Sequence, residues 1–400
     1  GFASVHPLQH ESTVQGWLEV LWEAQQALAK IAGLDAASVQ PLAGAQGEFC
    51  GLLMIRAYHE SRGEGAQRTR IVVPDSAHGT NPASAARCGY DVTQVASDER
   101  GCVDMLSMRN AMGPDVAAVM ITNPNTLGVF EKQIEKLTAL AHEHGALVYM
   151  DGANMNAVLG QIRPGDTGVD VMHFNVHKTF STPHGGGGPG AGPVAVRKIL
   201  ETFLPAPHVV RRETEFGCTF SLDGNRPNSV GALHGFYGNA GIILRALTYI
   251  WRHGDSGLKE ISDNAVLAAN YILARLCGTY ETANENICKH ECVLSANELK
   301  VKYGVSAWDI AKRLPDYGFH APTVYFPTIV RESMMIEPTE TETKVTIDKF
   351  CDAMIAIATE AMHNNTLLKE APHSLAVGRL DEAGAARCLN LCWTEKSDAT

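Results

Sequence analysis

The chain is 400 residues long with 45% apolar and 19% charged residues, which excludes a disordered protein and supplies apolar surface for more than one core. A formal net charge of −11 without a long Lys/Arg cluster excludes a nucleic-acid-binding face, and no apolar run reaches the ~18 residues of a spanning helix, so neither nucleic acid nor membrane is an expected partner. Ten cysteines without a CxxC pair read as mostly buried small hydrophobes in a reducing compartment; a cytoplasmic location is expected, and no metal.

Residues 1–12 read as an irregular arm. From Thr13 to Ala32 the apolar Trp17, Val20, Leu21, Ala24, Leu28 and Ile31 recur at helical spacing, behind a cap expected at Ser12 or Thr13. Gly44, Ala45, Gln46 and Gly47 open a second helix running to about Ser61. Small residues there leave backbone N–H groups uncovered at the positive end of the helix dipole, which suits a phosphate; an ordinary helix start is the competing reading.

After Gly65 the chain alternates. Segments 71–74, 91–95, 116–122, 146–151, 171–175 and 193–196 read as short buried strands, with helical patterns between several of them, clearest from Glu131 to His144. That pattern predicts a mainly parallel sheet covered on both faces, in which ligands gather beyond the carboxyl ends of the strands. The rule selects His78, Thr122, Asp151 and Lys178. A carboxylate at the end of a buried strand must be paired or hydrogen-bonded, so Asp151 either caps the following turn or meets a cationic ring nitrogen. His78 could stack on a flat ring or be an ordinary structural histidine. Lys178 follows a strand and precedes four glycines. It is placed either as a nucleophile, whose commonest covalent use is a Schiff base with pyridoxal phosphate, or as a solvated surface side chain.

Past Leu204 the PAPHVVRRETEF stretch reads as a linker broken by Pro205 and Pro207. Helices are expected from about Val230 to Trp251 and from Asp255 to Leu276. A smaller α+β unit follows, with strands in ECVLS and MMIEP and helices at Ala307–Leu314 and Ile347–Glu360. The last thirty or so residues carry little pattern and should lie on the surface or against a neighbouring subunit. The expected domains are an N-terminal arm and helix (1–40), a large domain (41–253), a small C-terminal domain (254–370) and a tail (371–400).

Several motifs are specific in combination: HPLQ, GAQGE, SAHGTNPAS, TNPNTLGVFE, VYMDGANMNA, HFNVHKTFSTPHGGGGPGAGP and IEPTETE. Through them the chain resembles the glycine decarboxylases, the pyridoxal-phosphate-dependent P-proteins of the glycine cleavage system, and within them the second subunit of the split form. The resemblance implies an α/β, aminotransferase-like, fold-type-I architecture with a mainly parallel large-domain sheet. It implies decarboxylation of glycine with transfer of the aminomethyl group to the lipoyl arm of H-protein, and a hetero-oligomer with a first subunit. It assigns Lys178 to the covalent hold on pyridoxal phosphate, Asp151 to its ring nitrogen and His78 to stacking on the ring. Gly44, Ala45, Gln46 and Gly47 fall at its phosphate, with Thr122 and Ala153 beside it, and His177 at proton handling or carboxylate placement. The glycine run near Gly186, with small Ser181 and Thr182, would give room to the lipoyl arm. Second subunits of this kind carry an additional N-terminal segment, and the chain opens at Gly1 without methionine, so a missing start is the expectation. Two alternatives are another fold-type-I enzyme, such as an amino-acid decarboxylase or a desulfurase using Cys218, and a non-catalytic partner subunit.

Overall fold

The structure, a computed structural model, describes residues 4–185, 188–215, 217–283 and 287–392. The first helix, α1 (Gln15–Ala32), buries Trp17, Leu18, Leu21, Ala24 and Leu28 along one stripe and ends at Gly33, whose φ of 68° turns the chain out of the helix. Its cap differs from expectation: Val14 stands there without a side-chain bond. The Ser12 hydroxyl meets His10 Nδ1 and the Thr13 hydroxyl donates to His10 O, so neither is free to cap.

Next come β1 (Ala36–Ser38), α2 (Gly44–Ser61), β2 (Arg70–Pro74), α3 (Thr80–Arg87), β3 (Asp91–Val95), α4 (Met105–Ala111), β4 (Val116–Thr122), α5 (Ile134–Glu143), β5 (Leu147–Gly152), β6 (Val171–Phe174) and β7 (Val194–Val196). Among the described residues seven strands form one sheet in the order β1-β7-β6-β5-β4-β2-β3. Strands β2 to β6 run parallel, β7 is antiparallel to β6, and β1 is antiparallel to β7. The helical crossovers account for the parallel core. Period-two alternation splits the side chains between two cores: Ala118, Met120, Tyr149 and Val171 join the core of α2 and α3, while Val119, Ile121, Val148, Met150 and Met172 join that of α1, α4, α5 and α6. Strand β3, expected to be buried, is the sheet edge with only Val95 buried, because it pairs on one side alone.

The segment read as a linker is an antiparallel hairpin, β8 (His208–Thr214) with β9 (Gly217–Asp223). Both prolines precede the strands, and the hairpin is held to α1 by Trp22 against Phe220 and by Gln15, which bonds the Phe220 backbone in both directions. The helix expected from Val230 starts only at Ala240, since Gly231 and Gly238 take φ of 86° and 60°. It continues as α6 (Ala240–Leu276) through a non-helical joint at Gly254. Ile243 and Leu247 pack in the large core, and Ala269, Ile272 and Leu276 in a second one.

That second core holds β10 (Glu281–Thr282), β11 (Cys292–Ser295), α7 (Asn297–Tyr303), α8 (Ala307–Arg313), β12 (Thr323–Val324), β13 (Ser333–Ile336), α9 (Lys344–His363) and α10 (Asn365–Lys369). Its antiparallel sheet runs β10-β11-β13-β12. Residues 373–392, which include the short α11 (Glu382–Arg387), are exposed apart from Gly384. Of the ten free cysteines six are buried, and Cys218, Cys277, Cys388 and Cys392 are exposed. No helix among the described residues is long and apolar enough to cross a membrane.

Candidate active site

The chain leaves β2 toward β3 on one side and leaves β4 toward β5 on the other, so the loops after β2 and β4 flank the point where strand order reverses. A crevice opens at such a point in an open α/β sheet. His78 lies in the first of these loops and Thr122 ends β4. The His78 N–H donates to Thr122 Oγ1 (3.0 Å), and the Thr122 hydroxyl donates to Asn81 Oδ1 (3.1 Å). Asn81 Nδ2 then donates to Asp151 Oδ2 (3.0 Å). His78, Thr122 and Asp151 are thus joined by Asn81, which the sequence reading did not single out. The His78 ring is exposed, holds Thr80 Oγ1 at 2.7 Å and meets Phe326 edge-on at 6.0 Å.

Asp151 is 2% exposed. Its Oδ1 accepts the N–H of Ala153 (3.0 Å) and lies 3.4 Å from His173 Nε2. Burial alone would push the carboxyl up, but the electrostatic pull of the His173 ring, the Ala153 amide, His78 and Asn81 outweigh it and hold it below the usual carboxylate range. The anion is therefore the stable form. Strand register explains the contact with His173: Asp151 on β5 is paired with His173 on β6, on the face toward α2.

Lys178 follows β6, at the same end of the sheet, and its exposed side chain donates from Nζ to Asn154 Oδ1 at 2.7 Å. It makes no hydrogen bond to Asp151. His177 is half-buried with its ring edge-on to His184 at 4.6 Å. Burial, followed by His184, Lys178 and His173, lowers its pKa to about 4, so it is neutral at pH 7.

Gly44 to Gly47 begin α2, with Ala43 as cap. The Gly47 amide already bonds Ala43 O (2.9 Å), and Gln46 Oε1 accepts the Leu42 N–H (2.5 Å). The amides of Gly44, Ala45 and Gln46 have no preceding turn to bond, which leaves three donors at the positive end of an 18-residue helix. These glycines have a packing reason as well. A Cβ on Gly44 would overlap Asn175 Oδ1, and one on Gly47 would lie 2.6 Å from Gly192 O and 2.8 Å from His173 Cβ. Asn175 Oδ1 is itself buried without a hydrogen-bond partner.

Among the described residues two clusters have side-chain types that could hold a metal: the buried Glu48, Asp151 and His173, and His290 and Glu291 with the half-buried Glu337. In the first, Glu48 already accepts the hydroxyls of Thr80 (2.6 Å) and Ser84 (2.8 Å). In the second, Glu337 accepts Asn156 Nδ2 (3.0 Å), which ties the small sheet to the motif carrying Asp151. Gly186 lies outside the described residues. The Ser181 backbone takes φ of 55°, and Thr182 Oγ1 is buried without a partner. Cys218 sits in the exposed part of the β8–β9 hairpin.

The arrangement offers an amine nucleophile, a buried anion, an exposed imidazole and helix-start amides at the carboxyl end of one sheet. Comparison with known proteins agrees in family and fold. Residues 261–373 match the family described as glycine dehydrogenase, C-terminal domain, and residues 53–205 match aminotransferase class-V. A probable glycine dehydrogenase (decarboxylating) subunit 2 from Chlorobaculum tepidum is 54% identical over 98% of this chain and 80% of its own length. A protein of the same description from Listeria monocytogenes is 54% identical over 97% of this chain and 78% of its own. The crystal structure of a glycine decarboxylase (P-protein) of the glycine cleavage system, in inhibitor-bound form, superposes with a TM-score of 0.73 at 21% identity, covering 89% of this chain and 79% of that one. A NifS-like protein superposes at 0.65 with 15% identity, covering 89% and 92%. At those identities the two structures speak for the fold alone.

Proposed function

The chain belongs to the family of glycine dehydrogenase (decarboxylating) subunit 2, and from that premise we propose how its own residues carry the reaction. It is an oxidoreductase of the glycine cleavage system that decarboxylates glycine with pyridoxal phosphate. The observation that carries the site assignment is the ionised, buried Asp151 at the carboxyl edge of the sheet, one strand from Lys178.

The residues fit the cofactor. Three unbonded amides of α2 suit a phosphate, the anionic Asp151 suits a protonated ring nitrogen, and His78 presents a flat exposed ring. When bound, pyridoxal phosphate supplies a carbonyl that captures amines and a ring that accepts the electron pair left when carbon dioxide departs. Gly44, Ala45 and Gln46 would hold the phosphate through backbone N–H groups, and Gly47 lets the helix approach closely enough to do so. Thr122 and Ala153 fix the loops on either side. Asp151 would favour a proton on the ring nitrogen, because a buried anion beside it stabilises the cationic form. Lys178 would hold the cofactor's carbonyl through its Nζ and, with glycine bound, would receive and return protons at that amine. Asn154 aims its amine. The neutral His177 can accept a proton but offers no charge to a carboxylate, which favours proton handling over carboxylate placement.

Lipoylated H-protein is the acceptor of the aminomethyl group in this reading, and a first subunit completes a hetero-oligomer. The two cores, joined along α6, act as a large cofactor-binding domain and a small domain. The buried free cysteines accord with a cytoplasmic location. Borohydride reduction of the loaded protein followed by peptide mass spectrometry tests the assignment. The cofactor mass is expected on the peptide containing Lys178; a mass on another lysine, or none, refutes it.

A further inference from the structure

Tyr149 and Asp151 alternate on β5, and His173 pairs with Asp151 from β6, so all three face α2. Tyr149 is wholly buried; its Oη lies 2.5 Å from His173 Nδ1, and the two rings are stacked at 24° with centroids 6.0 Å apart. The other ring nitrogen, Nε2, lies 3.4 Å from Asp151 Oδ1. We infer that Tyr149 and His173 form a buried relay that sets the hydrogen on His173 Nε2 and thereby fixes the Asp151 carboxylate in rotation for its role toward the ring nitrogen. The inference rests on the reading of Asp151 as partner of the ring nitrogen, and makes Tyr149 and His173 positioning residues for it.

The proton inventory leads to one arrangement. Burial, followed by the charges of Glu48 and Asp151, raises Tyr149 well above the ordinary phenol range, so the phenol keeps its hydrogen. That hydrogen is donated to His173 Nδ1, which must then be a bare acceptor, and the ring hydrogen stands on Nε2. It points at Asp151. The opposite tautomer would set the Nε2 lone pair against a carboxylate and strand the phenol hydrogen in the core. With Ala153 N–H and His173 on Oδ1 and Asn81 on Oδ2, three groups fix the carboxylate plane. Glu48, held by Thr80 and Ser84 on the α2 side, adds a second buried anion that favours the donor end of the imidazole pointing inward.

Packing on α2 gives a separate indication that the site is built for these two rings. A Cβ on Gly47 would come within 2.8 Å of His173 Cβ, and one on Gly51 within 2.6 Å of the Tyr149 ring. The two glycines are one turn apart and clear space for one ring each. His173 is therefore a neighbour of the GAQGE motif in space, though not in sequence.

The test uses the full chain with two nitrogen-15 readouts. In the cofactor-free protein, labelled histidine is expected to show the His173 ring hydrogen on Nε2 with Nδ1 bare, and Tyr149→Phe, which keeps the ring against Gly51, is expected to lose that preference. In protein loaded with ring-labelled pyridoxal phosphate, the ring nitrogen is expected to be protonated in wild type and to move toward the unprotonated shift in Tyr149→Phe and His173→Leu. His173→Gln keeps a donor near Nε2 and should recover most of the wild-type signal. The kcat of Tyr149→Phe and His173→Leu should fall roughly 10- to 100-fold, the worth of a hydrogen bond to a charged group, while KM for glycine moves less than about threefold. An Nδ1–H tautomer in the wild-type protein overturns the relay whether or not cofactor binds. So does an unchanged ring-nitrogen signal in Tyr149→Phe, which stands even if His173→Leu fails to fold. Absence of cofactor binding by wild type would count against the reading of the site instead, and the tautomer would still decide the relay.

Discussion

Replacing Gly47 by alanine probes the join between α2 and the sheet. The new Cβ would stand 2.6 Å from Gly192 O and 2.8 Å from His173 Cβ, where ordinary contact begins at 3.4 Å, so the shortfalls are 0.8 Å (3.4 − 2.6) and 0.6 Å (3.4 − 2.8). Neither neighbour yields easily. Gly192 is backbone whose N–H bonds Pro41 O, and His173 is held by Tyr149. The first turn of α2 must therefore lift away. Overpacking of this kind costs about 1–3 kcal/mol, offset by the ~0.5–1 kcal/mol that alanine gains over glycine inside a helix. A net loss of about 1–2 kcal/mol should lower the melting temperature of a 400-residue chain by about 1–2.5 °C. The lifted turn carries the amides assigned to the phosphate; weakening one charge-assisted bond there should raise the Kd for pyridoxal phosphate roughly 10- to 100-fold. Calorimetric melting and cofactor titration read the two effects. Gly241→Ala is the control: it lies in the first turn of α6, exposed, with nothing within 4 Å of its Cβ, and should be neutral or stabilising by ~0.5–1 kcal/mol. A Gly47→Ala protein that melts no lower than wild type and binds cofactor equally well would refute the packing argument.

Asp151→Asn keeps the shape and removes the charge. It should retain cofactor but lose roughly 100-fold or more in kcat, since the electron sink depends on the anion, and wild-type turnover would contradict its assigned role. Lys178→Ala should abolish the visible band of the lysine-bound cofactor while changing melting by less than ~1 kcal/mol, because its exposed side chain makes one hydrogen bond, to Asn154; a large stability loss would point to a structural lysine. His208 is buried beside Gln25, and burial, with Arg226, lowers it from 6.5 to about 4. Between those values the unfolded chain takes up a proton that the folded one refuses, so stability is full above pH ~6.5 and falls toward pH ~4, by about 3 kcal/mol in total. Urea midpoints at pH 7 and pH 5 should differ less in His208→Gln than in wild type; equal differences would contradict the shift.

Much of the large domain was legible because its signal is local. Apart from β3, the strands from Arg70 to Val196 are apolar runs, and the clearest helix between them, α5, carries a 3.6-residue stripe. What failed depended on distant partners. β3 reads as buried from Val92 and Val95, but with polar Asp91, Thr93 and Gln94 it lies at the edge and pairs on one side. The β8–β9 hairpin is polar at its tip and is held by Trp22 and Gln15 of α1, some two hundred residues earlier in the chain. The helix expected from Val230 is delayed by the left-handed backbone at Gly231 and Gly238.

In the candidate site, residues at strand ends were found by the rule for parallel sheets, whereas the side chains that orient them were not. Asn81 reaches Asp151 across two strands, and His173 reaches it through sheet register. A signal was present for the second. Gly47 and Gly51, four apart on a helix, announce a close approach, and His173 has the strand parity to be what approaches. The glycines of GAQGE were read as an opening for phosphate; they are equally the clearance for Asn175, His173 and Gly192.

The central claim is that this chain's Lys178 and Asp151 carry glycine decarboxylation. Exchange of labelled bicarbonate into glycine, with lipoylated H-protein and with or without a first subunit, measures it most directly. Exchange is expected with the wild-type chain in the complete mixture and should vanish in Lys178→Ala. Exchange that persists in Lys178→Ala, or that never depends on this chain, would contradict the account.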